Sequence, residues 1–298
     1  MIKMLTLSDE KHFFAFSKEN EPVLRIKSGE RVKIKAMDAF SNQVRTEEDE
    51  LDSINWNLVN PATGPIYVEG AQPGNVLKVT IEKIEVGPLG VMATGEDLGV
   101  FGSYFNGMTK KLIPIEGDFA IFNERLKIPL NKMIGVIGVA PEGEPVNCGT
   151  PGSHGGNMDT KLITEGVSIL LPVFTEGALF GAGDVHAAMG DGEVCVTGVE
   201  IDAELTLKFE VIKDMTLNNP MVETDEMLSC IASEKNLEDA ALKAARDMYD
   251  YLNANTDFKG EELAMLLSAV GDLQISQIVD PLKTARFTVS KKHLNTIG

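Results

Sequence analysis

Alternation of apolar and polar positions dominates the first two thirds of the chain. In VKIKAMD, Val32, Ile34 and Ala36 alternate with Lys33 and Lys35, the period-2 pattern of a strand with one face in the core. NVLKVTIEKIEV places Leu77, Val79 and Ile81 in one phase and Ile84 and Val86 in the other, which predicts a bulge. CVTGVEIDAELTLKFEV is apolar at odd positions from Val199 to Val211 and polar at even positions from Glu200 to Glu210, a pattern no helix would keep for so long. GVSILLPVF, from Gly166, is apolar throughout and reads as a strand covered on both faces, with Pro172 at an edge, a bulge or the strand's end.

The texture changes after Asn219-Pro220. Asn236 can cap a helix that carries Leu237, Ala241, Ala244, Met248 and Leu252 on one face. A second helix is expected from about Glu261 to Val270, stopped by Gly271, and TARFTV then reads as a strand. The expected fold class is mainly β, a β-sandwich or barrel-like core over residues 1–214, with an α+β C-terminal portion over 215–298. Between Gly87 and Met133 a Gly- and Phe-containing stretch with weak periodicity fits either an inserted subdomain (86–134) or a loop over a cleft.

Composition narrows the setting. The 298 residues are 43% hydrophobic, enough to fill a sizeable core. A formal net charge of −18, from 45 acids against 27 bases, argues against nucleic-acid and anionic-membrane partners, which are held by clustered Lys and Arg. Cys148, Cys195 and Cys230 are too scattered for a disulfide framework, which points to a reducing cytoplasm. Asp9-Glu10 sits where a signal peptide would need its apolar stretch, and no apolar run approaches the length of a membrane span. A soluble, cytoplasmic protein is the expectation.

Chemistry concentrates in two glycine-rich windows, CGTPGSHGG (148–156) and GAGDVHAAMGDG (181–192), which read as turns or tight loops around one apolar strand. They hold His154 and His186, two of four histidines, with carboxylates nearby at Asp159, Asp184, Asp191 and Glu193. Zinc accepts imidazole nitrogen and carboxylate oxygen, and a catalytic zinc keeps one position open for water. Asp184 and His186 are two apart, so on extended backbone both face one side and could share an ion. Glu193 could add a ligand or act as a base toward water. Asp191-Gly192 reads first as a hairpin turn. Gly181-Ala182-Gly183 lacks the third glycine of a dinucleotide fingerprint. Cys148 with His154 offers a rival, thiol-based chemistry, and a non-catalytic scaffold binding calcium or a small ligand is a rival from another class.

The segments NPATGPIYVEGAQPGNVLKV, GVIGVAP, PGSHGGNMDTKLITEGVSILLPVF, EGALFGAGDVHAAMGDGEV and TGVEI, in this order, resemble the acetamidase/formamidase family over most of residues 30–202. The resemblance is to its compact bacterial and archaeal members. It implies hydrolysis of a small aliphatic amide to carboxylate and ammonia by a mainly β, usually oligomeric protein, here a homodimer, that carries a divalent metal. Zinc is the expected ion, with room for a second such as calcium. By matching motifs, the resemblance implies metal ligands among Asp38, His154, Asp159, Asp184 and His186, and catalytic roles among Glu193, Glu69 and His154. Asn75 stands where the family often has an aspartate, and a turn is its expected role.

Overall fold

The computed structural model describes residues 4–294. Two large sheets, of nine and eleven strands, make up most of the structure. The nine-stranded sheet is centred on Val76–Val86 and Ala203–Ile212, flanked by Arg31–Ala36 on one side and Ser168–Pro172 on the other. Its register departs from regularity where Thr206 pairs with Lys83 and Leu207 with Ile81, which is the bulge foreshadowed by the phase change in NVLKVTIEKIEV. Ser168–Pro172 is buried along its whole length, as its unbroken apolar run requires.

The eleven-stranded sheet holds Phe180–His186 beside Met133–Gly138, Ala62–Glu69 and the two-residue strand Glu200–Ile201. One core joins the two sheets, with Ile34, Val79 and Leu205 from the first and Ile66, Ile134 and Val185 from the second all fully buried. Residues 87–133 form four strands, Leu89–Gly95, Met108–Glu116, Phe119–Asn123 and Leu126–Pro129, which extend the second sheet to its edge.

The long alternation from Val199 is divided at Asp202. Glu200–Ile201 pairs in the eleven-stranded sheet, whereas Ala203–Ile212 belongs to the nine-stranded one. The two halves therefore have different surroundings, and Glu200, in the polar phase of the pattern, is buried.

The C-terminal part continues the first sheet through Met221–Glu223, Met227–Glu234, Lys283–Ser290 and Gly271–Gln277. Helix α1 (Leu237–Asn255) lays Ala240, Ala244, Met248 and Leu252 against it, and α2 (Gly260–Val270) adds Leu263 and Leu267. No helix among the described residues is long and apolar enough to cross a membrane.

Asn236 caps α1 as its position suggests, its side-chain oxygen accepting from the Asp239 N–H at 2.9 Å. Asn236→Ala is expected to cost about 1 kcal/mol of stability, in the usual range for a lost N-cap. Urea unfolding of the two proteins checks this, and an unchanged midpoint would dissociate the cap from stability.

Candidate functional site

Four buried carboxyls meet around one imidazole nitrogen. His186 Nε2 lies 3.1 Å from Glu200 Oε2, 3.4 Å from Asp184 Oδ1, 3.8 Å from Asp159 Oδ1 and 3.9 Å from Glu193 Oε1. They come from four separate stretches of the chain. Asp184 and His186 share strand Phe180–His186, Asp159 follows strand Gly155–Asn157, Glu193 sits in the loop after His186, and Glu200 opens its own short strand. Asp280 joins them from the turn between the last two long strands, and Asn157 Nδ2 donates to its Oδ2 at 3.1 Å.

Backbone strain accompanies this convergence. Asp159, Asp184 and Glu193 have φ of 39°, 52° and 46°, in the left-handed region, and Val196 in the same loop reaches 77°. Such conformations cost about 1–3 kcal/mol each and persist only where surrounding contacts impose them. Clearance is the second requirement. Gly135 lies between the two residues that pair with Gly183 and Val185, so it faces Asp184 across the sheet. A Cβ on it would run into Asp159 Oδ1 and come within 3.0 Å of Asp184 Oδ2. Gly198 plays the same part for the ring, since a Cβ there would lie 2.7 Å from His186 Nδ1.

The electrostatics of the cluster are those of carboxylates removed from water. Burial, reinforced by the charge of Asp184, pushes the Asp159 carboxyl up to about 7. Burial raises Glu200 to about 8, and it holds Glu193 and Asp280 well above the carboxylate range with help from Asp159 beside them. His186 moves the other way from an isolated buried imidazole. Burial alone would lower it, but Glu200 and Asp184 outweigh that and favour the imidazolium.

Both oxygens of Asp159, Asp184 Oδ1 and Glu200 Oε2 make no hydrogen bond although they are buried. The Glu200 oxygen is near His186 Nε2 but not aligned to accept from it, so proximity there is not a hydrogen bond. Buried, unpaired acceptors are costly, and oxygens that turn toward a common point without a donor are what a cation would satisfy. Two overlapping triads, Asp159/His186/Glu193 and Asp184/His186/Glu200, each place one ligand atom per residue within 4.8 Å of the others and could hold a metal ion. The residues fit a divalent cation with mixed nitrogen and oxygen ligands.

Beside the cluster is a cavity of about 150 Å³, to which Asp184, Glu193, Glu200 and Asp280 contribute the polar side. Phe40, Trp56 and Leu98 are among the apolar residues opposite. Drug-sized ligands occupy roughly 300–1,000 Å³, so this space suits something much smaller.

Asp159, Asp184, His186 and Glu193, singled out in the sequence, are brought together; three other expected residues are not part of the group. His154 is buried with its ring edge-on to Phe16 at 5.2 Å, Nε2 unpartnered, and burial lowers it to about 4, which keeps the imidazole neutral. Asp38 accepts from the Asn42 N–H at 2.7 Å and pairs with Arg45 at 3.4 Å, holding the turn that starts the cavity wall at Ala39 and Phe40. Burial raises Asp38 to about 6. Glu69 ends its strand exposed to solvent. Cys148 is buried, its thiol pushed up by burial and directed at the Phe13 carbonyl at 3.6 Å, so the thiolate that a nucleophile needs is disfavoured.

Glu200, Asp280 and Asn157 were not selected from sequence. Glu200 sat in the polar phase of an apparently solvent-facing strand, and the only hint was its place in TGVEI. Asp280, in the dipeptide Asp280-Pro281, carries an ordinary turn signal.

The sequence model of the Acetamidase/Formamidase family matches residues 5–150 and 145–288. Among solved structures, a recombinant predicted acetamidase/formamidase from Thermoanaerobacter tengcongensis is 53% identical, with TM-score 0.95 over 97% of this chain and 96% of that one. An acetamidase from Bacillus halodurans is 48% identical, with TM-score 0.95 over 98% and 100%. A formamidase from Methylophilus methylotrophus is 23% identical over 64% of this chain and 62% of that protein. The chain spans less than two thirds of the length of the curated relatives it matches.

Two outcomes are expected from this geometry. Gly135→Ala should separate Asp159 from Asp184 and destabilise the protein by about 1–3 kcal/mol, the usual cost of overpacking, as read by chemical denaturation. The second concerns pH in the presence of a chelator. Every shifted group of the cluster has its folded pKa above its unfolded value, so the stability each contributes is complete below the unfolded pKa and is lost as pH rises through the folded one. The chelated protein should therefore melt at progressively lower temperature from about pH 4, the ordinary carboxylate value, up to about pH 8, the interval between the unfolded values and the raised ones near 7 and 8. A melting temperature that climbs across that interval would contradict the sign.

Proposed function

Because the chain belongs to the Acetamidase/Formamidase family, we propose that it hydrolyses a small linear amide to a carboxylate and ammonia in the cavity beside His186. The observation that carries the reading is the set of unpaired, buried carboxyl oxygens on Asp159, Asp184 and Glu200 around His186 Nε2, next to a space of about 150 Å³. The acetamidases and formamidase that this chain resembles support the substrate class.

Asp184, His186 and Glu200 would hold a divalent cation, with Asp159 beside them, and their mixed donor set favours zinc. When bound, such an ion polarises a carbonyl and eases deprotonation of water near neutral pH. The chain's own groups supply the rest. The apolar wall at Phe40 and Leu98 takes the short acyl group and limits its length. Glu193, a carboxylate once a cation offsets the repulsion around it, receives a proton on Oε1 as water adds to the amide carbon and a C–O bond forms. The same carboxyl then returns that proton to the amide nitrogen as the C–N bond breaks, so ammonia departs neutral. Its high proton affinity, caused by burial and by Asp159, suits it to the second step. Asp280, fixed by Asn157, faces the same cavity and keeps the nitrogen end polar.

Ammonia release from formamide and acetamide tests this reading. Turnover should fall on chelation and return with zinc. Glu193→Gln should lower kcat by roughly 10²–10⁴, the typical contribution of a positioned acid–base group. Cys148→Ser should leave turnover in place. Activity indifferent to chelators would remove the cation from the reaction, and a protein that carries only calcium and releases no ammonia from an amide panel would be a binding scaffold.

A further inference from the structure

Arg286 is the largest fully buried side chain of the protein's described residues, and it lies in the C-terminal strand Lys283–Ser290, outside the cluster. Every nitrogen of its guanidinium donates a hydrogen bond. Nη1 donates to Asp191 Oδ1 at 2.9 Å and Nη2 to Asp191 Oδ2 at 2.8 Å, a bidentate pair, while Nε donates to Gln274 Oε1 at 3.0 Å. Nη1 also reaches the Ile275 carbonyl at 2.9 Å and Ser276 Oγ at 3.1 Å. The flat fork of arginine meets a carboxylate in one orientation, so this contact fixes direction as well as distance.

What the contact orients is the loop of Glu193. Asp191 is two residues before it, and between them the Gly192 N–H donates to the Ser276 carbonyl at 2.7 Å while the Ile278 N–H donates back to Gly192 at 3.2 Å. The loop's left-handed residues Glu193 and Val196 do not favour that shape themselves, so it has to be imposed from outside. The same hub touches the other loops of the cluster. Lys161 reaches Asp191 at 2.8 Å, and Thr160, next to Asp159, donates to Ser276 Oγ at 2.8 Å. Gln277 then shapes the turn of Asp280 by accepting from the Val279 and Asp280 N–H groups at 2.9 and 3.0 Å.

We propose that Asp191 and Arg286 are positioning residues: their bidentate pair holds Glu193 against His186 and holds the Asp280 turn against Asp159. The proposal rests on the reading of the cluster as a cation-dependent amide-hydrolysing site. It assigns the C-terminal strands a share in the chemistry through one ion pair, with the guanidinium buried and the carboxylate reaching solvent, and it gives Asp191 a task that a simple turn residue lacks. Neither residue lines the cavity beside the cluster.

The test compares wild type with Asp191→Asn and Arg286→Lys, and with Leu267→Ala, a core change in α2 within the helix-covered cluster of Met248 and Phe287. Zinc affinity of chelator-treated protein is measured by equilibrium dialysis, hydrogen exchange is followed over residues 188–198, and kcat and KM are determined for acetamide. Asp191→Asn and Arg286→Lys should weaken zinc binding by about 10–100-fold, the usual effect of losing an outer partner of a metal site. They should also speed exchange over 188–198 and lower kcat with little change in KM. Leu267→Ala should lower the melting temperature without these effects. Asp191→Asn keeps the shape of the carboxylate and decides the matter if Arg286→Lys does not fold. Wild-type zinc affinity and wild-type exchange in a folded Asp191→Asn protein would overturn the proposal. If wild type itself neither binds zinc nor releases ammonia, the hydrolytic reading fails, and the exchange over 188–198 alone then decides whether the pair orders the loop.

Discussion

Packing acids around a single buried imidazole is the constraint on which the rest of the structure depends. Asp159, Asp184, Glu193 and Glu200 all come within 3.9 Å of His186 Nε2. Charges of one sign in a water-poor space repel and lose hydration, and that cost falls on the fold unless protons or a cation offset it. The raised carboxyls and the favoured imidazolium are two expressions of the same repulsion and attraction. A cation held there would replace those protons, so its binding would be linked to pH.

The scaffold meets that demand with stiffness. The core between the two sheets fixes strand Phe180–His186, and with it Asp184 and His186, more firmly than a free loop could. Gly135 and Gly198 leave out the Cβ atoms that would push the carboxylates or the ring aside. Strained backbone at Asp159, Asp184 and Glu193 aims the acids inward, and the Asp191–Arg286 pair fastens the loop that carries Glu193. The nine-stranded sheet runs on into the C-terminal strands, so the turn of Asp280 arrives with its position already set.

The cavity limits what this arrangement can act upon. Its apolar side leaves room for a short chain only, and its polar side presents buried carboxyls with raised proton affinity, Glu200 among them at about 8. On the proposed reading, such a pairing of a small greasy wall with proton-carrying groups suits a compact amide.

The mainly β core, the bulge in Val76–Val86, both C-terminal helices and the grouping of Asp159, Asp184, His186 and Glu193 were legible in the sequence. Periodicity and capping are local, and motif spacing carries residues that are close along the chain. The placement of His154, Asp38 and Glu69 outside the cluster was decided by packing, because a residue's nearness in sequence to a glycine loop does not say which way its side chain is turned. Glu200 and Asp280 belonged to the tertiary structure altogether. One became buried when its strand was divided between two sheets at Asp202, and the other was carried in from about eighty residues away by the continuation of a sheet. Burial and long-range strand order are properties of the assembled chain, and no local pattern encodes which acid will lose its water.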